Sequence, residues 1–299
     1  MTIDTVGFVG LGNMGSVLAS NLVERGFDVV VHDARGAVRA PSGTEHVVSV
    51  AEVAYRTDAV VLSLPDGTAS ETVTGEIVAA SAGRTTHVID TSTVGVSVAR
   101  AIDGLLAEHG VAYLDAPVSG GVDGARARTL TVMYAGADEV CESVEPVLLA
   151  MSNNCLRVGD TPGLAQAMKL ANNFLSATAL AATSEAITFG RSLGLDMGTM
   201  LEVLNGSSGR SSATTDKFPD HVLTGRYGSG FTNVLMSKDV ALYRRAVAEV
   251  AGPASIGTVT ASVWERFATT EPGADFTRIF PFVERSPGAA ADDEDLARE

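Results

Sequence analysis

Positive charge is scarce in this chain. Lys and Arg number 21 against 36 Asp and Glu, a formal net charge of −15. That balance argues against nucleic-acid binding, because affinity for a phosphate backbone rests on lysine and arginine. Cysteine is nearly absent: Cys141 and Cys155 have no metal-ligand spacing, and a cytoplasmic protein can keep both reduced. No apolar run reaches the roughly 18 uncharged residues of a membrane span. The opening Met1-Thr-Ile-Asp-Thr-Val lacks the basic residues and apolar core of a signal peptide, so a cytoplasmic location is expected. No internal repeat is evident. What the chain does have is size, 299 residues with 45% hydrophobic content, enough for more than one core.

Short β-branched runs alternate with helix-length segments through the first half. Strands are expected at 3–9, 28–32, 59–64, 87–90, 112–115 and 130–134, with helices such as 14–24 and 97–109 between them. Such alternation implies parallel βαβ units with right-handed crossovers, a doubly wound Rossmann-type α/β sheet. After Gly163 the pattern changes, and Ala, Leu, Met and Glu dominate to Leu193. About 30 residues at 1.5 Å each give a helix of roughly 45 Å, long enough to link two domains. Further helices are expected at 197–204, 237–251 and 255–267. The expected division is a dinucleotide-binding domain over 1–162 and an all-α domain over 163–285, opened by a long helix at 163–194. An acidic tail at 286–299 reads as disordered.

Val9-Gly10-Leu11-Gly12-Asn13-Met14-Gly15 places a GxGxxG at the end of the first strand and the mouth of the first helix. The first glycine allows a tight turn, the second lets backbone approach a pyrophosphate, and the third permits close helix–sheet packing. The helix N-terminus adds N–H groups and a positive dipole. Asp33 ends the second strand 18 residues beyond Gly15. A carboxylate there accepts hydrogen bonds from ribose hydroxyls and repels a 2′-phosphate, which favours NAD over NADP; the plainer alternative is an Asp capping a turn. Arg35 could fold back to meet a phosphate. Leu64-Pro65-Asp66 and Asp90-Thr91-Ser92-Thr93 follow other strands at carboxyl ends, where open α/β sheets bind ligands. Each alone is compatible with an ordinary turn.

Two further stretches carry chemistry. In Asp115-Ala-Pro117-Val-Ser119-Gly120-Gly121-Val-Asp-Gly124, the glycines and the Ser119 hydroxyl can form an anion-binding nest suited to a small carboxylate, or else a flexible turn. Lys169 and Asn173 lie four residues apart, on one helix face. An ammonium and an amide so placed can serve one pocket. A lone helical lysine is usually solvated, but Leu164, Ala165, Ala167, Met168, Leu170 and Ala171 surround this one with apolar side chains.

Together, the glycine turn, Asp115–Gly124 with Thr129-Leu-Thr131, the Lys169…Asn172-Asn173 helix and Lys238-Asp239 resemble the β-hydroxyacid dehydrogenases, the family of the 3-hydroxyisobutyrate dehydrogenases and tartronate semialdehyde reductases. The resemblance runs in order from residue 1 to about 285. It implies that Lys169 is the catalytic acid/base and that Asn173 binds and orients substrate. It implies also that Ser119, Gly120 and Gly121 hold the substrate carboxylate and that Thr93 and Lys238 contact the cofactor, with the site in an interdomain cleft. Homodimers or homotetramers are implied as well. The chain departs from the family pattern at Arg128, where a glycine usually precedes Thr-Leu-Thr, and at Val96, in place of a common proline. Ala34 stands where NADP-dependent relatives usually carry arginine. Arg126 and Arg128 either face solvent or meet a second anionic group on the substrate.

The expected chemistry is reversible hydride transfer between NAD and the β-carbon of a small 3-hydroxy acid or semialdehyde. Lys169 must then spend time neutral, and burial together with a nearby cationic ring would lower its pKa. Imine reduction is a second reading, disfavoured because such relatives typically lack the lysine. A non-catalytic cofactor-binding module is a third, against which the retained lysine and the acidic composition both count. Phe231, Met236, Trp264 and Phe276 are candidates for closing the cleft, or simply core residues.

Overall fold

Strands buried on both faces need continuous apolar runs, and such runs form the centre of this sheet. The computed structural model describes residues 3–80 and 83–286. Strand and helix alternate from the start: β1 (Thr5–Val9), α1 (Gly15–Glu24), β2 (Asp28–His32), β3 (Thr44–His46), α2 (Val50–Arg56), β4 (Ala59–Leu62), α3 (Gly67–Ala79), β5 (His87–Asp90), α4 (Val96–Ala107) and β6 (Ala112–Asp115). Ser49 and Asp66 begin α2 and α3 by accepting from Glu52 N and Ala69 N, satisfying N–H groups that a first turn leaves without partners. The six strands lie in the order β3-β2-β1-β4-β5-β6, all parallel. The winding reverses between β1 and β4, so the glycine turn leaves β1 at the switch point where doubly wound sheets take ligands.

Beyond β6 the pattern breaks. The next elements are β7 (Val118–Ser119), α5 (Gly121–Arg126), β8 (Thr131–Ala135), α6 (Asp138–Met151) and β9 (Asn154–Gly159). β8 runs antiparallel to both β6 and β7, and β9 then pairs parallel to β8. Parallel βαβ units were the expectation, and the strands run parallel to one another through β6. The reason for the reversal at β8 is the connection: α5 has six residues, about 9 Å of helix, too short to carry the chain back along a strand for a parallel return.

Next comes α7 (Leu164–Ser192), a 29-residue helix about 44 Å long. The chain forms two compact units, Met1–Asn172 and Asn173–Glu299, so the division between the units falls inside α7. The first unit packs α1 and α6 on one face of the sheet, with Phe8, Leu18, Leu22, Val144 and Leu148 fully buried, while Val53, Val60, Ile102 and Leu106 fill the other.

The second unit is helical: α8 (Met197–Asn205), a π-helical segment at Ala213–Val222, α9 (Asn233–Glu249), α10 (Ser255–Thr270), a 3₁₀ turn at Phe276–Arg278 and α11 (Ile279–Arg285). Trp264 is its central core residue, fully buried, and donates its indole N–H to Ala177 O at 3.2 Å. Met236 and Phe276 are buried in the same core, and Phe231 packs edge-on against Phe276 with ring centroids 5.7 Å apart. All four aromatic and methionine candidates for cleft closure are therefore packing residues. Among the described residues no helix is long and apolar enough to cross a membrane. The acidic tail expected at 286–299 lies outside the described residues, apart from Ser286.

Candidate functional site

The glycine turn begins where Gly10 N donates to His32 O at 3.0 Å, tying the exit of β1 to β2. Gly10 has φ +97°, and a Cβ on it would lie 2.3 Å from Ser63 O. A Cβ on Gly15 would meet Gly10 O at 2.0 Å. These two glycines serve close packing. Gly12 differs: a Cβ there would find nothing within 4 Å. Open space at this position is what the second glycine of such a turn requires, since there the backbone comes close to a pyrophosphate. A pyrophosphate-bearing cofactor therefore fits the residues present. Leu11 is buried in the core and gives its N–H to Asp33 Oδ2 at 2.7 Å, so it braces the turn. Asn13 is exposed, with its Oδ1 accepting from Arg39, and Met14 packs against the core beside α1.

Asp33 stands at the end of β2. Burial pushes its carboxyl pKa up, but N–H donation from Arg35 and Leu11, with the Arg35 guanidinium beside it, more than offsets this and holds it below the usual value. Arg35 lies on that carboxylate, with Nε–Oδ1 at 3.3 Å. Arg39, which the sequence did not single out, joins it at the same rim.

The β4 and β5 exits are joined. Leu64 N donates to Ser92 Oγ at 2.8 Å, and Ser92 N to Asp90 Oδ1 at 2.9 Å. Pro65 and a half-buried Thr93 sit in these two loops. Asp66, by contrast, is spoken for as the cap of α3. On the far side of the sheet, Ser119 ends β7, and Gly120 and Gly121 follow with φ +131° and +71°. Two successive positive φ angles confine this turn to glycine. Asn172 Nδ2 reaches Ser119 Oγ at 3.5 Å.

Lys169 is 7% exposed. Its burial does not come from its chain neighbours, since Leu164, Ala167 and Met168 face outward. It comes from position: Ala165, Gln166, Lys169, Leu170 and Asn173 all lie on the buried face of α7. Three polar side chains, Gln166, Lys169 and Asn173, thus sit on a helical face that packing alone would fill with apolar groups. Gln166 is wholly buried, and its Oε1 accepts from Val94 N and Gly95 N at 3.0 and 3.1 Å. Its Nε2 donates to Ser92 O at 3.1 Å, and its backbone N to Asp115 Oδ2 at 2.9 Å. Burial pushes the Asp115 carboxyl up to about 6, against the N–H groups of Gln166 and Gly163 that favour its charged form.

In the second unit, Asn173 is buried and donates Nδ2 to Asp239 Oδ2 at 2.6 Å. Lys238 lies 3.3 Å from Asp239 Oδ1. Asp239, buried on α9, therefore holds both residues that the family likeness implied for substrate and cofactor. Gln166 was not singled out in the sequence, and Asp239 entered it only as part of the Lys238-Asp239 pair. A polar residue at helical spacing from Lys169 was the available signal for Gln166; for Asp239 it was the adjacent Lys238.

The two unexplained arginines are also placed. Arg126 is exposed and pairs with Asp123 at 2.9 Å. Arg128 is half-buried, has φ +56° and donates Nη2 to Leu149 O at 2.6 Å. A glycine is usual at this position because the backbone is left-handed there. Arg128→Gly is accordingly expected to leave substrate KM within about twofold. Arg128→Val, with a β-branched side chain in that conformation, is expected to lose about 1–2 kcal/mol of stability. Steady-state kinetics and denaturant melts check both, and a large KM change in the glycine variant would place the guanidinium on substrate.

Among the described residues no group of His, Cys, Asp and Glu could hold a metal ion, and both cysteines are free. Residues 5–159 match the family model described as the NAD binding domain of 6-phosphogluconate dehydrogenase. Residues 163–283 match the one described as NAD-binding of NADP-dependent 3-hydroxyisobutyrate dehydrogenase. The chain is 35% identical to a probable 3-hydroxyisobutyrate dehydrogenase of Mycobacterium tuberculosis, over 92% of this chain and 96% of that protein. It is also 35% identical to 2-(hydroxymethyl)glutarate dehydrogenase of Eubacterium barkeri, over 87% and 88%. A solved structure of the M. tuberculosis 3-hydroxyisobutyrate dehydrogenase with L-serine superposes with a TM-score of 0.88 at 32% identity, covering 96% of this chain and all of that one. With the glycine turn, the doubly wound sheet and the helical second unit in place, the chain belongs to the β-hydroxyacid dehydrogenases, oxidoreductases that use a nicotinamide cofactor to act on the CH–OH group of hydroxy acids.

Proposed function

We propose that this protein is an NAD-dependent dehydrogenase of a small 3-hydroxy acid, 3-hydroxyisobutyrate or a close analogue, acting reversibly with the corresponding semialdehyde. The observation that carries the reading is the buried polar stripe of α7, in which Lys169 lies between Gln166 and Asn173. Desolvating an ammonium is costly, and a fold keeps such a group at a functional position. The nicotinamide cofactor, when bound, supplies hydride acceptance and return. Gly10 to Gly15 would bind its pyrophosphate, Asp33 its adenosine ribose, and Leu64, Pro65, Thr93 and Lys238 the remainder. Ser119, Gly120 and Gly121 would hold the substrate carboxylate by hydroxyl and N–H donation. Lys169 Nζ would take the hydroxyl proton during oxidation and return it during reduction. Asn173, oriented by Asp239, would hold the reacting oxygen.

NAD is favoured by Asp33, whose carboxylate is held ionised and would repel a 2′-phosphate. The competing NADP reading draws on Arg35 and Arg39 at the same rim. For assembly as a homodimer or homotetramer, support comes from Leu175, Phe189, Ile256 and Val259, large apolar side chains left exposed on α7 and α10. A cytoplasmic location suits the free thiols, of which Cys155 is pushed up to about 11 by burial and so kept unreactive.

A panel of 3-hydroxy acids, semialdehydes and cyclic imines assayed with NAD and with NADP tests the proposal. The expected result is turnover of a 3-hydroxy acid with kcat/KM at least tenfold higher for NAD. Turnover of imines alone, or tight cofactor binding with no turnover, would replace it with a reductase or a silent module.

A further inference from the structure

Gln166 is an unusual residue for its place. It is fully buried, one helical turn before Lys169, and its side-chain amide makes three hydrogen bonds to a single loop: from Val94 N and Gly95 N to Oε1, and from Nε2 to Ser92 O. That loop contains Thr93 and, through Ser92 Oγ, accepts the N–H of Leu64 from the neighbouring loop. The backbone of Gln166 is fixed from another direction, donating to Asp115 Oδ2 at the end of β6. The start of α7 is therefore bound to the carboxyl ends of β5 and β6, and the β5 loop is in turn bound to the β4 exit through Ser92. Apolar packing alone lets a helix slide by fractions of an ångström, whereas a set of buried, directional hydrogen bonds allows one register.

We propose that Gln166, with Asp115 behind it, is a positioning residue that sets the register of Lys169 against the loops carrying Leu64 and Thr93. The inference rests on Lys169 being the acid/base. Gln166 need touch neither substrate nor cofactor; it acts through the helix. Its carboxamide supplies an acceptor and a donor on one rigid plane, which neither methionine nor glutamate reproduces. A misplacement near 1 Å from such a loss costs about a hundredfold in turnover.

The test compares Gln166→Met, Lys169→Ala and the double variant by steady-state and single-turnover kinetics, with NADH binding followed by fluorescence. Expected for Gln166→Met is a kcat lower by about 30- to 100-fold, with NADH affinity within threefold. In the Lys169→Ala background the same substitution should change residual turnover by less than threefold, because the residue it positions is gone. If Gln166→Met does not fold, Gln166→Glu keeps the acceptor and size, cannot donate to Ser92 O, and is expected to lose kcat in the same way. Unchanged kcat in a folded variant overturns the proposal. So does an equal loss in both backgrounds, or a loss confined to NADH affinity. Near-normal turnover of Lys169→Ala would instead remove the acid/base reading itself, an outcome distinct from a failure of Gln166 alone.

Discussion

Replacing Lys169 with alanine is expected to lower kcat by about 10²- to 10⁴-fold, the span that a positioned general acid/base contributes. In barrier terms this is about 3–5 kcal/mol. NADH affinity should stay within about threefold, since the glycine turn and Asp33 belong to other elements. Lys169→Arg is the sharper control. It preserves positive charge and much of the length, yet a guanidinium does not deprotonate near neutral pH. If Lys169 served only to attract an anionic substrate, the arginine variant would retain most turnover; if it moves a proton, arginine is nearly as poor as alanine. A structural lysine would show a third pattern, with a lowered melting temperature and normal kcat in the folded fraction. Wild-type turnover in Lys169→Ala would end the assignment.

How much of this was legible in the sequence differs between the two units. Five of the first six strands were readable because parallel strands buried on both faces are short apolar runs, and Asp28–His32, His87–Asp90 and Ala112–Asp115 occur where those runs placed them. β3, with the sequence Thr-Glu-His, and β9, with exposed residues along it, carry no such signal, because edge position relieves them of burial. The strand β8 was expected at 130–134, but its antiparallel direction was not legible: its composition is that of any buried strand, and only the shortness of α5 sets its direction. The long helix α7 was plain from its length. The π-helical turn at Ala213–Val222 was not, since Pro219 within it argues locally against any helix.

The candidate site shows the same division between pattern and context. Gly10, Gly12 and Gly15 were legible because their spacing serves backbone geometry, and Arg128 was flagged as a departure because glycine is the residue a left-handed position favours. Lys169 was singled out on an incomplete ground. Apolar chain neighbours suggested a buried lysine, but half of them point outward, and the burial belongs to the helix face shared with Gln166 and Asn173. Asp239 depends on a pairing across 66 residues of chain, which spacing in one sequence cannot express. Local geometry is written in local sequence; second partners are written in the fold.

The glycine turn yields a contrast that separates packing from binding. Gly12→Val should melt within a few degrees of the parent, because a side chain there begins in open space and the residue has no positive φ. Its NAD affinity should nevertheless fall on the order of 100-fold, about 2.7 kcal/mol, since the added carbons occupy the volume a pyrophosphate needs. Gly15→Ala should behave in the opposite way. Its methyl would sit 2.0 Å from Gly10 O, a backbone atom that can move only if the β1–α1 turn opens. An expected loss of about 2–3 kcal/mol follows from overpacking against a rigid partner. Calorimetric NAD titration and thermal melts of the two variants decide between the roles. If Gly12→Val binds NAD as the parent does, the phosphates lie elsewhere and the open space at Gly12 has another cause. If it melts as low as Gly15→Ala, both glycines are packing residues and the turn is no cradle.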